Sequence, residues 1–577
     1  MPLTVEVSRG ASGSRHEPTE GTGCVAAGLR KSSCSETSVR LPEVEKVRNV
    51  VALSAAGADT HTVNYEPERL QQLLQDLKGQ RSQHWLAKKL DVTDRAVAPW
   101  FKGGRIQDEN IALIEALARS EGVEPALYQK ARLIWDFRQS YENNTNAPVP
   151  EPPHVPPLSN VITTILDHPV SGVVGAAASV LTSTAQLVRY LLNVGNDIVV
   201  YKTVRSRAYK PHPKPNAFAC DDTRPLTPND QQTPYHVTSV DDAPQPYKAL
   251  INRYGMPSST PEQWTIDFQA AARNVKPGQL LILSVTGTAT QDDPPNVLID
   301  DFEKVVALGR DAGAEVIELN LSCPNCSGRE GEVFKDVDTT IAICRAAQQA
   351  ARGAKLLIKI GYMPKGQLLK FVRATIQYVD GYSAINSFPV EAHQDGQTAL
   401  VNAFGQPGLK AGLTGSPILP CGLATVSALH EFREQEGTAF CILASGGVTE
   451  PNDVLTYLEA GADAVMLATA LFSDPLFALR ARPLWQQWHS SLGDRANPVE
   501  LARFNWSRAM TTAVTTIPNT EELAIVGGAV FASWHRAYLD TPLIAARGAG
   551  TSHRVPDQQE FHRLILADYT RRRRYDA

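Results

Sequence analysis

The chain has 577 residues, with 56 Lys and Arg against 61 Asp and Glu, and a formal net charge of -5. Hydrophobic residues make up 43% and charged residues 20%, which is typical of a soluble globular protein, and the length predicts two or three domains. This charge balance excludes a chain-wide basic surface for nucleic acid, although a small basic module is compatible with it.

The eight cysteines show no paired framework, and no secretory signal precedes them. No run of about 18 apolar residues occurs, so we expect no stable membrane insertion. A cytoplasmic protein with reduced thiols is the simplest interpretation.

The N-terminal part of the chain divides into a tail and a helical module. Residues 1–60 are rich in Ser, Gly, Thr and Glu without periodicity, which predicts a disordered tail. Residues 61–145 are predicted to be helical, because leucines recur at helical spacing and Thr93 is a good N-cap for a later helix that ends at Gly103-Gly104. The leucines of the first helix are Leu70, Leu73, Leu74 and Leu77.

The short helices of this module resemble a helix-turn-helix. In that interpretation Arg95 begins the recognition helix, and DNA binding through residues 61–145 becomes a hypothesis. Pro99 within the supposed recognition helix argues against it, and a small helical bundle used for protein contacts is the alternative. The basic residues that would meet phosphates are Lys88, Lys89, Lys102 and Arg105.

A proline-rich linker at 146–159 precedes a repeated strand–helix pattern. About eight such units predict an α/β fold, a (β/α)8 TIM barrel over residues 160–494. The alternative, an open doubly wound sheet, is disfavoured because no G-x-G-x-x-G follows an early strand. Residues 495–577 are predicted to be a helical C-terminal extension, whose Arg571–Arg574 run is interpreted as a solvated tail.

The segment Val316–Asn325 carries the most informative pattern. Apolar side chains alternate with Glu318, Asn320 and Ser322, which predicts a strand, and Pro324 ends it. The strand end leaves the Cys323 thiol between two side-chain amides. Parallel barrels present their chemistry at such carboxyl ends, so the segment indicates an enzyme.

Other predicted strands also end in polar residues or glycines. Lys359 lies in an otherwise apolar strand, where a lysine is costly unless it meets an anion. Glycines after the seventh strand are typical of a barrel phosphate site. A phosphate site with a buried lysine indicates a phosphorylated cofactor. The strand-end pairs are Lys202-Thr203, Asn386-Ser387, Gly446-Gly447 and Ala468-Thr469.

From about residue 160 to 480, the chain resembles the dihydroorotate dehydrogenases, FMN enzymes of pyrimidine synthesis built on a (β/α)8 barrel. The family's N-L-S-C-P-N signature is intact at Asn320–Asn325, and its substrate loop matches Asn252–Met256. Further matches in the family's order are Ser171-Gly172, Lys202, Lys359, Asn386-Ser387 and Gly412–Gly415.

The resemblance implies that Cys323 is the base that removes the C5 proton of dihydroorotate, as in the family's cytosolic class. It implies that a hydride passes from C6 to FMN, and that Lys359 stabilises the reduced flavin. The implied substrate contacts are Lys202, Asn252, Tyr254, Gly255, Met256, Asn320, Asn325, Asn386 and Ser387. The implied FMN contacts are Ser171, Lys202, Thr203, Asn320, Lys359, Ile385, Gly412, Gly446, Gly447, Ala468 and Thr469.

Alternatives remain for the site and for the function. Lys359 could pair with Glu318 alone, and Cys323 with Cys326 could form a redox or metal pair, although we expect no metal because a second Cys/His cluster is missing. Other functions are a dihydropyrimidine (dihydrouracil) dehydrogenase, a tRNA dihydrouridine synthase, or a DNA-binding regulator with a barrel sensor. We expect a homodimer that acts on a small dihydropyrimidine. The substrate loop is closer to the family's serine class, which leaves the electron acceptor open.

Overall fold

The computed structural model describes residues 65–493, except 154, 156–157, 159–162, 221, 227–233, 291, 324–329 and 396–399. The tail predicted at 1–60 and the extension predicted at 495–577 lie outside these described residues.

The N-terminal module is a small bundle of short helices. Leu73, Leu77 and Leu86 are fully buried in its core, which explains the helical spacing of the leucines. Thr93 caps its helix as predicted, because its side chain accepts a hydrogen bond from the backbone N–H of Ala96. The helices are α1 (Pro67–Lys78), α2 (Gln83–Leu90), α3 (Asp94–Val97), α4 (Asp108–Ser120) and α5 (Tyr141–Asn146).

The continuous recognition helix expected to begin near Arg95 is not formed. Helix α3 has only four residues, and a separate 3-10 turn follows at Trp100–Lys102 after Pro99. Pro99 donates no backbone hydrogen bond, which interrupts the helical ladder even though Ala98 before it keeps helical dihedral angles. The module is therefore described by the alternative, a compact helical bundle, and the structure gives no support to the helix-turn-helix interpretation.

The strands are mostly short and buried. Those of the barrel and its amino-terminal hairpin are β1 (Thr163–Ile165), β2 (His168–Val170), β3 (Val174–Ala176) and β4 (Ile198–Val204). Then come β5 (Ala217–Cys220), β6 (Tyr235–Thr238), β7 (Ala249–Asn252), β8 (Leu280–Val285), β9 (Val316–Asn320) and β10 (Lys355–Ile360). The last are β11 (Gly381–Ala384), β12 (Phe388–Asp395), β13 (Leu400–Asn402), β14 (Lys410–Gly415), β15 (Cys441–Ser445) and β16 (Ala464–Leu467).

Eight parallel strands close into a barrel in the order β10-β11-β15-β16-β3-β4-β8-β9. The predicted (β/α)8 fold is confirmed, and the open doubly wound sheet is excluded. Both faces of these strands are buried, which explains their near-continuous apolar runs. The helices between and after the strands are α6 (Ala185–Asn193), α7 (Pro261–Ala272), α8 (Pro295–Asp311), α9 (Val337–Ala351), α10 (Lys365–Thr375), α11 (Leu419–Glu436), α12 (Pro451–Glu459), α13 (Thr469–Ser473) and α14 (Phe477–Gly493).

Two excursions from the barrel form a second sheet. Strands β5–β7 follow β4, and strands β12–β14 follow β11, so both excursions leave from carboxyl ends of barrel strands. They assemble in the order β13-β12-β14-β7-β5-β6. This six-stranded sheet therefore lies on the side of the barrel where active sites are built.

The N-terminal module contacts the barrel side through backbone carbonyls and aromatic rings. The Arg480 guanidinium on α14 donates to the carbonyls of Leu127 and Gln129, at 3.3 and 2.8 Å. The Phe137 ring packs 5.0 Å from the Phe472 ring and 5.9 Å from the Tyr247 ring, between centroids. The module is thus fastened beside the carboxyl-terminal face of the barrel.

The amino-terminal end of β4 carries a buried carboxyl group. Asp197 is 5% exposed, and its Oδ2 atom has no hydrogen-bond partner among the described residues. Gly172 approaches it so closely that a Cβ atom there would lie 2.1 Å from Oδ2. Burial raises the pKa of Asp197 from 3.8 to about 6, and the charge of Arg482 opposes this rise only partly.

The change Asp197→Asn tests the cost of this buried charge. The native state takes up a proton between pH 6 and 4 that the unfolded chain does not, so acid in that range stabilises the wild-type fold. Relative to Asp197→Asn, the wild-type free energy of unfolding should rise by up to about 3 kcal/mol from pH 7 to pH 4. Urea unfolding at several pH values measures this difference, with exposed Asp300→Asn as the charge control. Parallel wild-type and Asp197→Asn curves would contradict the prediction.

Candidate active site

One pocket at the carboxyl ends of the barrel strands collects most of the predicted site residues. Side chains from β4, β9, β10, β15 and β16 meet there with residues that follow β11 and with the loop after β7. The predicted residues that line it are Lys202, Thr203, Asn252, Tyr254, Gly255, Met256, Asn320, Cys323, Lys359, Ile385, Asn386, Ser387, Gly446, Gly447, Ala468 and Thr469.

Two consecutive residues of β4 face this pocket because the strand is irregular. Its pairing with β8 shifts register between Tyr201 and Val204. A regular strand would turn Lys202 and Thr203 to opposite faces, whereas an irregularity of this kind re-aims a side chain. Both residues are buried and both line the pocket.

Lys359 brings a buried ammonium group to the pocket. It lies opposite Asn320 in the parallel pairing of β10 with β9, and it is 4% exposed. Within the described part of the chain its ammonium makes no hydrogen bond or ion pair. Glu318 instead accepts a hydrogen bond of 2.8 Å from Ser284, so the alternative ion pair between Lys359 and Glu318 is not observed.

The amide side chains of Asn320 and Asn386 are joined in a network. The Asn320 Nδ2 atom donates to Thr203 Oγ1 at 3.0 Å and lies 3.5 Å from the sulfur of Met256. The Asn386 Nδ2 atom donates to the carbonyl and hydroxyl of Ser322, at 3.0 and 3.1 Å. Each amide is therefore held in a defined orientation at the pocket wall.

Cys323 follows the end of β9 and is 5% exposed at the pocket. The residues immediately after it, including Asn325 and Cys326, lie outside the described residues. The predicted substrate contact of Asn325 and the hypothesis of a Cys323–Cys326 pair therefore stay predictions.

The loop Tyr254–Met256 is held by two residues that the sequence analysis missed. The buried Arg205 side chain donates to the Met256 carbonyl at 3.2 Å and forms a 2.9 Å ion pair with Glu330. The His212 ring lies so close to Gly255 that a Cβ atom there would be 2.6 Å from Nε2. Burial lowers the pKa of His212 to about 4, with smaller effects from nearby arginines. No spacing in the sequence separates Arg205 from an ordinary surface arginine.

The backbone at Gly446 and Gly447 forms one wall of the pocket. Their φ angles are +105° and +91°, a region that favours glycine. A Cβ atom on Gly447 would lie 2.4 Å from the Cα of Leu419. Together with Thr469, where α13 begins, this wall offers backbone that an anion can approach closely.

Two predicted cofactor contacts, Ser171 and Gly412, are not among the residues that line the pocket. Ser171 precedes β3 at the opposite end of the barrel, where its N–H bonds the Gly278 carbonyl. The residues that follow β3 (Val174–Ala176) and line the pocket are 177–179 (Ala-Ala-Ser). Gly412 lies in β14 opposite Asn252, whose amide donates to its carbonyl at 3.3 Å. It does not itself line the pocket, whereas Thr414 and Gly415 of the same strand do.

Neither a metal cluster nor a membrane span was found within the described ranges. No group of three or more His, Cys, Asp or Glu side chains there could hold a metal ion. No helix among those residues is long and apolar enough to cross a bilayer.

The fold and the pocket define a (β/α)8-barrel enzyme, because a thiol, an ammonium group and several amides converge at the carboxyl ends of parallel strands. Residues 161–481 match the family described as dihydroorotate dehydrogenase. The chain belongs to this family and is an oxidoreductase that acts on a CH–CH bond.

Several relatives share part of the sequence. The dihydroorotate dehydrogenase of Dictyostelium discoideum is 28% identical over 335 residues, covering 56% of this chain and 86% of the relative. The catalytic subunit of dihydroorotate dehydrogenase B (NAD(+)) from Thermoplasma acidophilum is 29% identical over 237 residues, covering 39% and 67%. Ligand-free dihydroorotate dehydrogenase from Eimeria tenella aligns with a TM-score of 0.47 and 18% identity, covering 59% of this chain and 91% of that one.

The change Gly447→Ala tests the close backbone approach at the pocket wall. It introduces an unfavourable φ and also a clash with Leu419, so the free energy of unfolding should fall by roughly 3 kcal/mol or more. Gly437→Ala is the matched control, since Gly437 has a φ of +62° but open space around it, and it should cost only about 1 kcal/mol. Urea unfolding measures both values. Equal losses would show that no close approach constrains Gly447.

Proposed function

We propose that this protein oxidises dihydroorotate to orotate in de novo pyrimidine biosynthesis, with FMN bound at the mouth of the barrel. The observation that carries the proposal is the shared pocket of Cys323, Lys359 and the Gly446-Gly447 backbone. These groups suit a base, a partner for an anionic ring edge and a phosphate cradle. The relatives in the comparisons are dihydroorotate dehydrogenases by name.

The residues present fit FMN. The ammonium of Lys359 has no partner among the described residues, which is costly for a buried charge, and an anionic edge of the flavin ring would satisfy it. The glycine wall and Thr469 would hold the phosphate through backbone N–H groups. The residues proposed to contact the rest of the cofactor are Lys202, Thr203, Asn320, Ile385 and Ala468, with the segment 177–179 in place of Ser171.

The chain's own chemical step is the removal of a proton. When bound, FMN supplies the acceptor for the hydride from C6 of the substrate. The Cys323 thiolate takes the proton from C5, so the substrate loses one proton and one hydride and gains the C5–C6 double bond. A thiol is a workable base near neutral pH because its ordinary pKa is about 8.5.

The amides around the thiol suit a flat heterocycle with donors and acceptors along its edges. Asn252, Asn320 and Asn386 line the pocket and would bind those edges. Lys202, which is 8% exposed, would hold the substrate carboxylate. Loop residues Tyr254–Met256 and Ser387 would complete the enclosure.

The deciding experiment is anaerobic addition of dihydroorotate to the purified protein. Bleaching of the flavin absorbance supports the proposal. Bleaching by dihydrouracil alone would instead support the dihydropyrimidine branch, and no bleaching by either would refute both. A panel of acceptors should follow and include NAD(+) and fumarate, which appear in the names of related dihydroorotate dehydrogenases. Cytoplasmic location, homodimer formation and DNA binding stay predictions.

The change Cys323→Ala should lower the rate of flavin reduction by dihydroorotate about 10²- to 10⁴-fold, because the proposed base is lost. Cys344→Ala is the matched control, since Cys344 is buried in α9 outside the pocket and burial raises the pKa of its thiol to about 12. Stopped-flow absorbance at saturating dihydroorotate measures the rates. A Cys323→Ala rate within a few fold of wild type would rule out the base assignment.

The change Lys359→Gln should weaken FMN binding roughly tenfold or more, because a charge-assisted contact becomes a neutral one. Flavin retained after dialysis, and titration of the apoprotein with FMN, measure the affinity. Lys355→Gln is the control on the same strand, because Lys355 pairs with Asp167 and Asp380 away from the pocket. If both variants retained FMN equally, Lys359 would have no role in holding the cofactor.

A further inference from the structure

A buried relay of side chains runs beneath the pocket from Glu318 to Asn320. Ser284 lies opposite Glu318 in the pairing of β8 with β9, and its hydroxyl donates to Glu318 Oε1 at 2.8 Å. Thr203 Oγ1 lies 3.0 Å from Ser284 Oγ, and Asn320 Nδ2 donates to Thr203 Oγ1 at 3.0 Å. All four residues are at most 5% exposed, so water does not compete for these hydrogen bonds.

The direction of every hydrogen bond in the relay follows from its end at Glu318. A carboxylate oxygen only accepts, so Ser284 must use its single hydrogen there. The Thr203 hydroxyl must then donate to Ser284, which leaves the Thr203 oxygen as an acceptor. Asn320 must therefore turn its NH2 group towards Thr203.

The directions of these hydrogen bonds are compatible with those made by Asn386, the second amide of the pocket. With its NH2 group committed, Asn320 presents its carbonyl oxygen, which lies 3.4 Å from Asn386 Nδ2. Asn386 accordingly uses its NH2 group on Asn320 and Ser322, and its carbonyl oxygen accepts from the backbone N–H of Ser387 at 2.8 Å. The backbone N–H of Ser322 also donates to the carbonyl oxygen of Asn320, at 3.4 Å. The order that Glu318 imposes on Asn320 therefore agrees with the order that backbone groups impose on the two amides from the other side.

Packing alone gives no reason for a carboxylate at this position. The second oxygen of Glu318, Oε2, has no hydrogen-bond partner among the described residues. A buried polar atom without a partner destabilises a fold, and an apolar side chain of similar size would avoid that cost. The carboxylate of Glu318 is therefore better explained by the hydrogen-bonded side chains that it orients.

We propose that Glu318 is a positioning residue that fixes the amide orientation of Asn320 through the hydroxyls of Ser284 and Thr203. The inference rests on the proposed function, because the oriented amides are those that would bind the edge of the orotate ring. A wrongly turned amide would place a donor against a donor, so the relay sets affinity for the pyrimidine and does not take part in the proton or hydride transfer.

A double-mutant cycle on the full-length, flavin-loaded protein tests this relay. The variants are Glu318→Gln, which can both donate and accept, Ser284→Ala, which removes the linking hydroxyl, and the two combined. Glu315→Gln is the matched control, because it is the same chemical change at a side chain that is 76% exposed. The readouts are orotate affinity from the change in flavin absorbance, the KM and kcat for dihydroorotate, flavin content and thermal unfolding.

Each single variant should raise the orotate Kd and the dihydroorotate KM by roughly tenfold, with kcat changed much less. The combined variant should bind orotate no more weakly than either single variant, because both substitutions break the same series of hydrogen bonds. Wild-type affinity in either single variant would overturn the proposal. So would effects that multiply in the combined variant, since the two residues would then act independently.

Two further results are also decisive. If Glu318→Gln does not fold, Ser284→Ala carries the test, since it leaves the carboxylate in place and should still weaken orotate binding. If the wild-type protein does not bind orotate, the proposed function fails. The relay is then tested separately by atomic-resolution crystal structures of the wild type and of Ser284→Ala. An Asn320 amide unchanged between the two would overturn the relay, whereas a turned amide would support it.

Discussion

The parallel pairing of β9 with β10 is the constraint on which the rest of the site depends. Its register sets Asn320 beside Lys359 at the rim of the barrel. A slip of one residue in either strand would turn these polar side chains out of the barrel and bring Leu319 or Ile358 into the pocket. The thiol of Cys323 reaches the same rim only because β9 ends where the pocket begins.

Much of the barrel and of its rim could be predicted, because both rest on local patterns. Alternating buried strands and amphipathic helices identify βα units without knowledge of long-range contacts. The carboxyl ends of parallel strands meet on one face, so strand-end residues as distant as Thr203, Asn386 and Gly446 could be placed together from the sequence. The Asn320–Asn325 motif then gave these positions a chemical meaning.

The remaining features depend on contacts that local patterns do not encode. Ser171 was misplaced because the first barrel strand has only three residues, too few to show a period. Thr414 and Gly415, which line the pocket in place of the predicted Gly412, were missed because β14 reaches the pocket only by pairing with β7 across a long sequence separation. Arg205 was missed because its burial is created by three separate segments, and no single segment marks it. The spacing of the helices alone suggests a longer recognition helix, although Pro99 argues against it, and the helix has only four residues.

The contacts between the N-terminal module and the end of the barrel have a consequence for folding during synthesis. Arg480 holds the carbonyl of Leu127, a residue 353 positions earlier, and Phe137 completes one wall of the pocket beside Phe472. During synthesis the early helices leave the ribosome long before their docking partners exist. The pocket wall to which Phe137 contributes can therefore be completed only after α13 and α14, which carry Phe472 and Arg480, have been synthesised.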